Sequence, residues 1–143
     1  MIRFAERKDL DQCVELMRES FKYAEFKFEF LVDYARALFL QHISTDGLAC
    51  IVLEHKDEVK GILLVNCKKH QFGNVKVAGE TLWYISPKAR GKGAITMLKK
   101  YEEWAKLQKC DIISMASLHK NDVSKLYERL GYAPIETHFI KAL

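Results

Sequence analysis

Two apolar runs separated by four polar residues constrain this chain more than any other feature. Leu48–Glu54 and Val59–Asn66 are rich in residue types that strands bury, and His55-Lys56-Asp57-Glu58 between them is a polar turn. That pattern predicts an antiparallel hairpin. Other elements arrange themselves around it. Met1–Ala5 alternates and predicts a short strand, and Asp9 stands where it can cap a helix carrying Leu10, Cys13, Val14, Leu16 and Met17 at helical spacing. A second helical stretch is expected from Phe26 through Ile43, and Thr45-Asp46-Gly47 breaks it. After the hairpin come a turn at Gln71–Asn74, a strand over Val75–Ser86 stopped by Pro87, and an amphipathic helix over Ala94–Lys109. A strand at Asp111–Ser117, a short helix at Asn121–Leu130 and a last strand at Ile135–Ala142 complete the order. This succession is mixed α/β. With two prolines, no repeat and no linker-like stretch, residues 1–143 read as one domain.

Composition narrows the class. Apolar residues make up 49% of the 143, enough for a sizeable core and unlike a disordered chain. The net charge of +4 is too small, and too evenly spread, to indicate nucleic acid, although it suits an anionic cofactor. Cys13, Cys50, Cys67 and Cys110 show neither C-x-x-C spacing nor the grouping of a disulfide framework, and the five histidines are scattered, so no metal site is expected. The charged N-terminus has no apolar signal region, and the longest apolar run, Leu48–Leu53, is far short of a membrane span. A cytoplasmic protein is expected.

The segment Tyr84-Ile85-Ser86-Pro87-Lys88-Ala89-Arg90-Gly91-Lys92-Gly93-Ala94-Ile95 carries the chemistry. A strand runs into a basic loop with two glycines, and the loop opens a helix. Glycine lets the backbone turn sharply and approach a ligand. The free amides and dipole of a helix's first turn attract anions, and Arg90 and Lys92 add positive charge. The loop therefore predicts a phosphate or pyrophosphate site. It is neither a P-loop, which needs G-x-x-x-x-G-K-[ST], nor a dinucleotide fingerprint, because Thr96 stands where the third glycine belongs. The plainer alternative is a glycine-bearing turn before a surface helix.

Arg90-Gly91-Lys92-Gly93 after a strand ending in Ser86-Pro87 resembles the coenzyme A loop of the GNAT acetyltransferase superfamily, with Ile95 where a small residue is usual. Leu126-Tyr127-Glu128-Arg129-Leu130-Gly131-Tyr132 resembles that family's Leu-Tyr-x-x-x-Gly-Phe/Tyr signature. The two motifs stand in the family's order with a strand between them. The segment Tyr127–Leu143 is similar to small acetyltransferases encoded by phages.

The resemblance implies a GNAT-like, mostly antiparallel sheet flanked by helices, in which the Leu82–Ser86 strand splays from the strand at Ile112–Ala116. It implies acetyl-CoA as acetyl donor, held by the amides from Gly91 through Gly93, Ala94 and Ile95 to Thr96, by Arg90 and Lys92, and along Tyr84, Ile85 and Ser86. A backbone N–H near Ile85 would polarise the acetyl carbonyl. Tyr127 matches the tyrosine that protonates the departing thiolate. Glu80 is the candidate base, with His119 in reserve. On a regular pleat Glu80 shares a side with Leu82 and Tyr84, an inference a bulge would reverse. Asn121 is a candidate for the pantetheine arm or, alternatively, a helix cap. A small-molecule or peptide amine is the expected acceptor, and a homodimer is left open. The aromatic Phe21–Phe39 region and the basic Lys68–Asn74 loop would suit an acidic or aromatic acceptor, a solvated charge run being the commoner explanation of Lys68, Lys69 and His70. The competing reading is a non-catalytic coenzyme A-binding or protein-interaction module on the same fold.

Overall fold

The predicted hairpin forms around Lys56 and Asp57, which both take positive φ (51° and 62°). Positive φ at both central residues makes a turn whose twist matches that of the flanking strands. The computed structural model describes residues 1–143, the side chain of Lys92 excepted. Its strands are β1 (Ile2–Phe4), β2 (Leu48–His55), β3 (Glu58–Lys69), β4 (Lys76–Ile85) and β5 (Ile112–Ile113), and its helices are α1 (Leu10–Ala24), α2 (Val32–Ser44), α3 (Lys92–Leu107) and α4 (Ser124–Arg129). The strands lie in the order β1-β2-β3-β4-β5. Neighbours pair antiparallel except β4 and β5, which run parallel and pair only at Val77 with Ile112 and Ala78 with Ile113.

Helices cover both faces, which is why the central strands read as unbroken apolar runs. On one face Cys13, Val14, Met17 and Phe39 of α1 and α2 pack on Val52, Ile62 and Leu64. On the other, Met97, Leu98 and Tyr101 of α3 pack on Ile51, Leu63 and Val65. Fully burying one such side chain contributes about 1.5–3 kcal/mol, so the hairpin is the shared wall of two cores.

A buried ion pair ties β1 to the start of α1. Arg3 donates two bonds to Asp9, at 2.8 and 2.9 Å, and a third to Glu54 at 2.8 Å. Asp9, only 2% exposed, also accepts the Glu6 main-chain N–H at 2.7 Å. These bonds, that from Arg3 foremost, hold its carboxyl below the ordinary carboxylate range. Its contribution is therefore present above about pH 4 and is lost as pH falls through its lowered folded value. Asp9→Ala leaves Arg3 with Glu54 as its one close carboxylate partner and the Glu6 N–H without its acceptor, and is expected to cost about 1–3 kcal/mol, checked by urea unfolding at pH 7. The deficit relative to the parent protein should shrink in acid.

Three sequence expectations change. The second helix begins at Val32, not Phe26, because Glu25 ends α1 in the left-handed conformation (φ 53°). The expected Asp111–Ser117 strand shortens to two residues, because β4 turns away after Ala78. No strand forms over 135–142. With so short a β5 the segment has no ladder to join, and Ile135, Phe139 and Ile140 are 86% exposed or more.

Candidate active site

The site begins with an irregularity in β4. Leu64 pairs with Leu82 but Val65 pairs with Glu80, so Thr81 is an extra residue on β4, a β-bulge. It reverses the regular-pleat expectation. Leu82 and Tyr84 face the α1 core, whereas Glu80 sits opposite Val65, on the face where Trp83 and Tyr127 pack with α3.

Beyond the bulge β4 and the chain after β5 separate. Ser114 N–H still reaches Ala78 O at 2.9 Å, but at Ala116 side chains replace the ladder. Ala116 N–H donates to Glu80 Oε1 at 3.0 Å, and the Tyr127 hydroxyl donates to Ala116 O at 2.8 Å. One residue thus links the two candidate proton carriers across the gap. Higher on β4, Ser86 N–H donates to Lys60 O at 2.8 Å. Alternation along the strand then turns the main-chain groups of Ile85 and Trp83 into the gap. The Ile85 carbonyl accepts from Arg90 Nε at 2.9 Å.

The gap opens into a cleft of about 550 Å³ that passes through the sheet. Ser20, Ala24 and Phe26 wall it on the α1 side, and Ala94, Leu126 and Tyr127 on the other. In these apolar surroundings, burial raises the Glu80 carboxyl to about 7, offset in part by the Ala116 N–H. Burial first, then the charge of Glu80, pushes the Tyr127 hydroxyl well above its ordinary value, so it stays protonated. The ring of Tyr127 stacks on Trp83 with centroids 6.0 Å apart.

The anion end of the cleft is the start of α3. Gly91 is its N-cap at φ 124°, a conformation that side chains rarely tolerate, and no side chain caps the helix. The first two amides of the helix, at Lys92 and Gly93, are therefore available to an anion, while the Ala94 N–H donates to Gly91 O at 3.2 Å. A Cβ on Gly93 would lie 2.9 Å from Leu53 Cδ1 and Cδ2, so this glycine lets α3 sit close on β2. The Arg90 guanidinium lies 5.3 Å from the Tyr23 ring and 5.7 Å from the Tyr84 ring. No described hydrogen bond occupies its two terminal nitrogens.

Glu80, Ile85, Arg90, Gly91, Ala94, Ile95, Asn121 and Tyr127 line the cleft. Tyr84, Ser86, Gly93 and Thr96 do not. The Tyr84 hydroxyl instead donates to Glu19 on α1 at 3.1 Å, and burial and Glu19 raise it to about 12. The Lys92 side chain lies outside the described residues. Asn121 does not cap α4, because Asp122 Oδ1 accepts the Ser124 N–H at 2.9 Å. His119 is exposed and outside the cleft lining. Sequence reasoning passed over Trp83, which lines the cleft and keeps a buried indole N–H without a partner. Its one signal was an aromatic beside the glycine loop. Among the described residues no cluster of three or more His, Cys, Asp and Glu could hold a metal, and no helix is long and apolar enough to cross a membrane.

The geometry fits a long anionic ligand with an extended arm: uncapped amides at one end, a free strand edge in the middle and a carboxylate at the far end. The family model described as "Acetyltransferase (GNAT) family" matches residues 10–132. No curated protein sequence matches the chain. Among solved structures, the chain is similar to a transcriptional regulator from Bacillus halodurans C-125 (24% identity, TM-score 0.76, covering 97% of this chain and 99% of that one). It is similar to a predicted acetyltransferase with acetyl-CoA from Clostridium acetobutylicum (15%, 0.81, 99% and 95%). It also resembles an aminoglycoside antibiotic 6'-N-acetyltransferase from Acinetobacter haemolyticus (18%, 0.76, 100% and 99%). At these identities the likeness to solved structures is one of fold.

Proposed function

Because the chain belongs to the GNAT family of acetyltransferases, we propose that it transfers an acetyl group from acetyl-CoA to a primary amine by direct attack in a ternary complex. The observation that carries this reading is the pair of bonds at Ala116, which brings a carboxylate poised near neutrality and a protonated hydroxyl to one cleft. Acetyl-CoA, when bound, supplies the acetyl thioester. The first-turn amides of α3 and Arg90 hold its phosphates, and the Ile85 and Trp83 main-chain groups hold its arm as a neighbouring strand would. An N–H at Ile85 directed at the carbonyl oxygen stabilises the charge that develops there. An amine arrives as its ammonium and must lose a proton before it attacks. Glu80, about half ionised at pH 7, takes that proton, and Tyr127 gives one to the departing sulfur.

Initial rates of thiol release with both substrates varied test the order of events. Direct attack predicts intersecting double-reciprocal lines and no acetylated protein. Parallel lines with an acetylated side chain would replace it by a two-step route through the enzyme.

Ile95 stands at the cleft mouth in the second turn of α3, 41% exposed. Ile95→Glu puts a negative charge where the helix N-terminus favours one, so the fold should be unharmed or slightly steadied. The same charge opposes the pyrophosphate, and acetyl-CoA affinity should fall about tenfold or more. Calorimetric titration beside thermal unfolding checks both halves.

A further inference from the structure

We infer that the amine acceptor is an aromatic monoamine, its ring held by a platform of phenylalanines at the α1 end of the cleft; this rests on the acetyl-transfer reading above. Phe26, Phe28 and Phe30 recur at every second position of the connection between α1 and α2, which bends at Lys27 and Phe28, and all three rings gather on Phe21 of α1. Centroid distances to Phe21 are 5.5, 5.2 and 5.5 Å, and Phe26 stacks on Phe28 at 5.4 Å. Core packing accounts for Phe30 but not for Phe26 and Phe28, which are 44% and 65% exposed. Yet Phe26 lines the cleft, so the platform continues its wall out to the surface. Beside it, Ser20 and Ala24 stand one helical turn apart on α1, and two small side chains on one face leave a slot. The slot is walled opposite by Leu82, which the Thr81 bulge turns toward α1.

Charge decides between classes of amine. Among the described residues, Glu80 and Arg90 are the charged side chains of the lining. Of the carboxylates around the cleft but outside its lining, Glu25 pairs with Lys120 and Glu19 accepts the Tyr84 hydroxyl, whereas Glu29, between Phe28 and Phe30, has no described partner. Within the lining one ammonium group therefore finds one carboxylate, and the further ammonium groups of a polyamine find none there. An aromatic ring next to the amine buries apolar surface on Phe26 and Phe28 in offset or edge-on contact.

The test compares 2-phenylethylamine, n-propylamine, spermidine and kanamycin as acceptors for the full-length protein, by thiol release and mass spectrometry of the product. The expected result is a kcat/KM for 2-phenylethylamine at least about tenfold above the other three. Phe26→Ala should then raise the KM for 2-phenylethylamine about tenfold, more than it lowers kcat and more than it changes the weak n-propylamine rate. Phe26→Leu, which keeps the apolar bulk, should recover part of that loss. Equal or better turnover of n-propylamine, spermidine or kanamycin, or a Phe26→Ala effect shared by every amine, overturns the aromatic acceptor while leaving acetyl transfer intact. Acetyl-CoA binding with no turnover of any amine overturns the transfer reading and this one with it.

Discussion

Glu80→Gln lowers kcat by about 10²- to 10⁴-fold, the usual worth of a positioned proton acceptor, and does so without unfolding the protein. The glutamine amide oxygen can still accept the Ala116 N–H that Glu80 Oε1 takes at 3.0 Å. The carboxyl of Glu80 is raised by burial to about 7. Below that pH it is protonated and cannot accept a proton, so kcat/KM of the parent protein should rise with pH and level off above about 7. The stability effect has the opposite sign. A carboxyl whose folded value exceeds its unfolded one binds its proton more tightly in the folded state, so folding weakens as pH climbs from about 4.5 through 7. Glu80→Gln removes that loss and should be as stable as the parent, or more so, at pH 8. A pH–rate profile and a urea series at pH 5 and 8 test the two signs separately. A rising limb near pH 7 that survives in Glu80→Gln would assign the base elsewhere.

Tyr127→Phe produces the second large effect. It keeps the ring stacked on Trp83 and loses only the hydroxyl bonded to Ala116 O at 2.8 Å. Ala116 is exposed, so water can replace that bond, and the stability change should stay near 1 kcal/mol. Turnover should fall about 10²- to 10⁴-fold with acetyl-CoA affinity nearly unchanged, because protonation of the leaving sulfur matters only in the transition state. The limb near pH 7 should remain, since it belongs to Glu80. Equal losses of affinity and turnover would reduce Tyr127 to a packing residue.

The parts of this architecture that local patterns encode were legible in the sequence. The hairpin announced itself by two apolar runs around a polar turn, and α3 by its amphipathic spacing after a glycine loop. The two motifs that carry the family likeness place Gly91 and Tyr127 on the same cleft. What escaped depends on pairing between distant segments. The bulge at Thr81 is set by the register of β4 on Leu64 and Val65, and nothing near Thr81 announces it. It alone decides which face Glu80 occupies. The phenylalanines at 26, 28 and 30 lie close enough to helical spacing to be read as helix, yet they stand in a bent connection, because α1 has ended at Ala24 and α2 starts only at Val32. The tail at 135–142 has strand-like composition, but a strand also needs a partner, and β5 stops after two residues.

Calorimetric titration with acetyl-CoA, beside free coenzyme A and ATP, tests the central claim most directly. The account predicts a dissociation constant on the order of micromolar for acetyl-CoA, weakened in Ile95→Glu, and no comparable binding of ATP, which carries phosphates but no arm to lie along Trp83 and Ile85. Absence of acetyl-CoA binding, or equal binding of ATP, would contradict it.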